Sequence, residues 1–68
     1  MLEFTLTEEY IELIKLLKVM QVAESGAMAK MLVENGEVLR NGKVELRKRA
    51  KIRKGETIEA LGQTIVTR

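Results

Sequence analysis

Two hydrophobic rhythms divide the chain. Tyr10, Leu13, Ile14, Leu17 and Met20 recur at helical spacing, with Ile11 and Leu16 widening the stripe. Thr7 before Glu8 and Glu9 reads as an N-cap with an acidic first turn, which suits the positive end of a helix dipole. A first helix is therefore predicted from about residue 8 to about 20 or 21. Ser25 offers a second N-cap. Met28, Ala29, Leu32 and Val33 then share a face, and Asn35-Gly36 supplies a left-handed stop, giving a second helix over about 26–35. Both helices are too short to stand alone and must pack on something.

After Gly36 the period drops towards two. Val38-Leu39-Arg40 and Lys43-Val44-Glu45-Leu46 flank Asn41-Gly42, a pair that tolerates the positive φ angles of a type I′ hairpin turn. Beyond it, Val44, Leu46, Ala50 and Ile52 share one parity, whereas Arg47, Arg49, Lys51 and Arg53 share the other. Extended chain would send the first set to the core and the second to water, with same-side residues about 6.6 Å apart. Lys48 interrupts the apolar set, so a loop or bulge is predicted near 47–49. Lys54-Gly55 reads as a turn, and Thr57–Leu61 and Thr64–Thr67 read as strands around Gly62-Gln63, with a further short strand at Phe4-Thr5-Leu6. Two helices followed by several short strands make an α+β fold, with residues 1–68 as one domain.

Composition narrows the chemistry. The 68 residues hold no Cys and no His, which removes disulfides and the usual zinc sites, so stability must come from apolar packing. Asp is absent as well, so neither a Ser-His-Asp nor a Cys-His unit can be assembled. Glu8 with Glu12, or Glu56 with Glu59, reads as solvated surface charge rather than an acid/base pair or metal site. The glycines are scattered among turns and form no phosphate-cradling loop. Met28 and Met31 read as core filling. The chain is expected to be non-enzymatic, without cofactor, metal or small-molecule substrate. With no secretory leader and no apolar run near the roughly 20 residues of a membrane span, it is expected to be cytoplasmic.

The net charge of +2 conceals an uneven distribution. Residues 1–39 set three lysines against seven glutamates, a net −4; residues 40–54 set eight Lys or Arg against Glu45, a net +7; residues 55–68 come to −1. Eight cations facing one anion repel one another unless something screens them, and parity gathers Arg47, Arg49, Lys51 and Arg53 on one side. Nucleic acid fits that pattern best; an acidic protein surface, a membrane or no ligand at all remain open on charge alone. A basic membrane helix is disfavoured because the segment reads as strand and loop.

The ordered run Ser25-Gly26-Ala27-Met28-Ala29-Lys30-Met31-Leu32-Val33, Gly36, Val38, Asn41-Gly42, Lys51-Ile52 and Gly55-Glu56-x-Ile58 resembles the S-four RNA-binding domain, the αL motif. Leu13-Ile14-x-Leu16-Leu17-Lys18 matches that family's first helix, and Glu24–Ala27 with Arg47-Lys48-Arg49-x-Lys51-Ile52 is similar to its small, free-standing, bacterial YbcJ-like subgroup. The resemblance implies two short helices packed on a small, mostly antiparallel twisted sheet. It further implies structured RNA, ribosomal or transfer RNA included, held along the second helix and adjoining loop, with Lys30, Arg40, Lys43, Arg47, Arg49 and Lys51 at or near it. Lys48 and Arg53 belong to the same basic segment, and the free N–H groups at Ser25 and Gly26 add a helix-terminus anion site. Many family members carry Arg directly after the serine; this chain has Gly26 there. The competing expectation is an adaptor whose basic face meets an acidic partner or a ribosomal surface. With two aromatics, both outside the basic segment, base stacking is not expected.

Overall fold

The computed structural model describes all residues, 1–68. Five strands form the main sheet: β1 (Leu2–Phe4), β3 (Val38–Arg40), β4 (Lys43–Val44), β6 (Thr57–Ala60) and β7 (Gln63–Thr67). Their spatial order is β1-β7-β6-β3-β4, with β1 parallel to β7 and every other pairing antiparallel. A second, two-stranded sheet joins β2 (Ile11–Glu12) to β5 (Lys51–Ile52), and two helices, α1 (Leu13–Val19) and α2 (Gly26–Glu34), complete the domain. The α+β class is as expected. Leu13, Leu16 and Leu17 of α1 and Ala29, Leu32 and Val33 of α2 are buried in one cluster with Ile52, Val38, Ile58, Ala60 and Ile65. No helix is long and apolar enough to cross a membrane.

Helix boundaries follow from where backbone groups find partners. α2 starts at Ser25, whose hydroxyl accepts the Met28 N–H at 3.2 Å, and ends in a Schellman turn. There Glu37 N–H donates to Leu32 O and Gly36 N–H to Val33 O, with Gly36 at φ +72°. The first helix is shorter than its periodicity predicts. Thr7 is not its cap, and Tyr10 is exposed rather than part of the buried stripe. Ile11 and Glu12 are instead extended and pair with Ile52 and Lys51. The free N–H groups of Leu13 and Ile14 then donate to Ala50 O and Lys48 O, at 2.9 and 3.3 Å. The basic segment thus supplies the N-terminal cap that no side chain provides.

The hairpin at Asn41-Gly42 forms as predicted, with both residues at positive φ. Its register reverses the parity expected next. Arg40 stands opposite Lys43 and Leu39 opposite Val44, and Glu45 N–H continues the ladder to Val38 O at 3.0 Å. Since Val38 is inward, Glu45 is inward too and is buried, whereas Val44 and Leu46 face solvent at 55% and 61% exposure. The chain turns at Lys48-Arg49, closed by Ala50 N–H to Arg47 O, and parity then recovers: Ala50 and Ile52 are buried, and Arg47, Arg49, Lys51 and Arg53 are exposed. Met31 is likewise exposed, while Met28 packs against the core. The short strand near the N-terminus lies at Leu2–Phe4, ahead of the expected Phe4–Leu6.

Candidate nucleic-acid interface

Register decides which cations are structural and which are free. Arg40 lies opposite Ile58 on the core side of the sheet, so its guanidinium is largely withdrawn from water and finds its partners locally. Its Nε and Nη2 grip the Glu56 carboxylate, with Nη2–Oε1 at 2.9 Å; Nη1 reaches Glu45 Oε1 at 3.1 Å; Nη2 also donates to Lys51 O at 2.8 Å. These bonds hold both glutamates charged. Glu45 is lowered to about 2, chiefly by the hydrogen bond from Arg47, with its backbone N–H and Arg40 adding to it against the opposing effect of burial. Glu56 is lowered by Arg40 first, while Arg40 itself is pushed up by Glu56. Neither glutamate is the solvated surface charge that sequence suggested for Glu56, or the lone anion suggested for Glu45.

The remaining cations of the segment are exposed. Arg47 pairs with Glu45 at 3.0 Å, Lys48 with Glu34 at 2.8 Å, Arg49 with Glu12 at 3.2 Å and Arg53 with Glu9 at 3.6 Å. Folding therefore brings carboxylates from elsewhere to a segment that looked unneutralised in sequence. The Lys48, Arg49 and Arg53 pairs lie at the surface and are worth only about 0–1 kcal/mol each, so an incoming phosphate can take their place. Lys43, Lys51, Lys54 and Lys30 make no ion pair.

These side chains line adjoining shallow depressions. Arg40, Arg47, Arg49, Lys51 and Arg53 border one. Lys43 borders a second together with Arg40 and Arg47. A third gathers Gly26, Lys30, Lys48 and Arg49 with Lys15 and Lys18 of α1. Arg47 and Arg49 belong to two depressions each, so the surface runs unbroken from Lys43 to the start of α2, where Ser25 is exposed as the cap. Lys15 and Lys18 were missed in sequence because the first 39 residues are acidic in sum; their spacing on an amphipathic helix was the available signal. Thr67 anchors the far end, its hydroxyl donating to Arg53 O at 2.6 Å and accepting the Glu56 N–H at 3.0 Å.

A family model described as the S4 domain matches residues 4–68. The chain belongs to the S4 domain family. Among its relatives, the putative RNA-binding protein YbcJ of Escherichia coli strain K12 is 43% identical over 56 residues, covering 82% of this chain and 80% of the relative. The uncharacterized protein YbcJ of Shigella flexneri matches to the same extent. The solution structure of YbcJ from E. coli, described as revealing an αL motif involved in RNA-binding, superposes with a TM-score of 0.76. It is 40% identical and covers 98% of this chain and 86% of that one. The expected S4-type, αL-motif fold is thereby established, with this chain's departure at Gly26 lying in its basic depression.

Proposed function

We propose that this chain is a non-enzymatic RNA-binding protein that grips the phosphate backbone of structured RNA along the basic surface from Lys43 to Lys30. The observation that supports this reading most strongly is the continuity of that surface: cations far apart in sequence share adjoining depressions. Kinship with a protein named as RNA-binding points the same way. Arg47, Lys48, Arg49, Lys51 and Arg53 contact phosphate directly, joined by Lys30, by Lys43 and by the backbone at Ser25 and Gly26. Arg40 acts from beneath, holding the segment in place. Recognition rests on shape and phosphate spacing, as suits folded RNA, whose deep major groove hides base identity.

Titration of a folded RNA hairpin across a salt series tests the reading. Neutralising four to six phosphates gives a slope of about −3 to −5 in log K against log salt. A slope near zero, or no binding at low salt, would remove the electrostatic basis of the proposal. Preferential capture of an acidic protein surface would assign the same face to an adaptor.

A further inference from the structure

Tyr10 stands where sequence did not place it. The antiparallel register Ile11↔Ile52 and Glu12↔Lys51, continued by one residue, sets Tyr10 opposite Arg53 on the face away from the core. Its ring accordingly lies beside two cations, with Lys51 Nζ 5.1 Å and Arg53 Cζ 5.8 Å from the centroid. The residue is 36% exposed, and the sheet that carries it is fixed by buried Ile11 and Ile52. An aromatic ring at the edge of a cationic strip is the pairing that unpaired nucleotides require: a π-face for the base, and positive charge nearby for the phosphate. The ring also borders a cleft of about 550 Å³ whose lining mixes apolar Phe4 and Ile11 with Lys15 and with Glu9 and Glu12, the carboxylates that pair with Arg53 and Arg49. The apolar part of that lining suits the flat face of a base, and its carboxylates accept hydrogen bonds from exocyclic amino groups.

We infer that Tyr10, with Lys51 and Arg53, forms a seat for a single unpaired nucleotide of a structured RNA. The base stacks on the Tyr10 ring at the mouth of this cleft, and Lys51 and Arg53 hold its phosphate. The inference rests on the RNA-binding reading above and adds to it a preference for a bulged or looped-out base over continuous duplex.

A pair of hairpins tests it: one with a single unpaired nucleotide in the stem, and one with an abasic residue at that place, so that charge and backbone are matched. The wild-type protein is expected to bind the base-bearing hairpin about fivefold or more tightly than the abasic one. Tyr10→Phe keeps that ratio, and Tyr10→Ala brings it to one, with far-ultraviolet circular dichroism reporting an intact fold in both variants. Tyr10 is the sole tyrosine in a chain without tryptophan, so its intrinsic fluorescence, corrected for RNA absorption, is a second readout. Quenching by the base-bearing hairpin alone supports the seat. Equal binding and equal quenching by both hairpins in the wild type overturn the seat while leaving the phosphate-gripping surface standing. Failure of both to bind at low salt overturns that surface and the seat with it.

Discussion

Arg40 and Arg47 reach the same carboxylate, Glu45, at 3.1 and 3.0 Å, yet they do different work. The Arg40 side chain is 21% exposed and lies under the sheet, bound also to Glu56 and to the Lys51 carbonyl; the Arg47 side chain is 75% exposed and holds no second acid. In the first case the charge has been withdrawn from water and its partners are what make burial tolerable. In the second, water and salt compete with the partner throughout, and the charge is free to meet another. Residue type and local sequence do not separate these roles. Register does, because the two-residue turn at Asn41-Gly42 sends Arg40 inward together with Val38 and Glu45.

Removing the inner arginine should have the largest effect. Arg40→Ala leaves Glu45 and Glu56 under the sheet without their common partner, and a loss of about 2–4 kcal/mol in unfolding free energy is expected. Arg47→Ala should lose less than about 1 kcal/mol. Chemical denaturation of the two variants compares them directly, and equal losses would erase the distinction. Acid provides the same contrast without mutation. Glu45 is lowered to about 2 from an ordinary value of 4.5, and Glu56 is lowered in the same direction. Both are depressed in the folded state, so their contribution is complete above the ordinary carboxylate range and is lost as pH falls from about 5 towards 2. Unfolding free energy measured down that window should fall steeply, and Glu45→Gln should flatten the fall.

Binding should show the reverse ranking. On the proposed reading, Arg47→Ala with Arg49→Ala removes two phosphate contacts. RNA affinity should drop about tenfold or more, and the salt slope should shrink by about 1.5, with stability changed by under about 1 kcal/mol. Alanine is preferred to charge reversal because Glu at these positions would face Glu45 and Glu12. Electrophoretic mobility shifts across a salt series check the outcome, and an unaltered slope would move the site elsewhere.

Much of this was legible before the structure. The hairpin, the second helix with its Ser25 cap and Gly36 stop, the β6–β7 pair and the outward set Arg47, Arg49, Lys51 and Arg53 all follow from local pattern, because each is fixed by residues close in sequence. Three features depend on pairings that local periodicity does not show. Tyr10 fits a helical stripe until Ile11 is claimed by Ile52. Val44 and Leu46 look like core until the register from Val38 is carried across the turn, a step the sequence permitted, since an inward Val38 and a two-residue turn require an inward Glu45. The neutralising carboxylates Glu9, Glu12, Glu34 and Glu56 all lie outside the basic segment they partner. Tyr10 and the carboxylates are long-range pairings overriding a local reading, whereas Val44 and Leu46 follow from a hairpin register carried across the turn.

The smallest expected effect is the most informative about where the surface ends. Lys30 lies on α2, outside the basic segment, exposed and without an ion pair, and it borders a depression with Gly26, Lys48 and Arg49. Lys48 is held there by Glu34, one turn along α2 from Lys30. If RNA phosphate spans helix and loop, Lys30→Ala should weaken binding by about 1 kcal/mol and lower the salt slope by somewhat under one unit, uniformly across RNA sequences. An exposed helix position tolerates alanine well, so stability should move by under about 0.5 kcal/mol. Lys30 thus extends the Arg47 pattern, binding loss without stability loss, to a second element of the fold. An unchanged slope would confine the surface to residues 40–54 and leave the start of α2 as structure only.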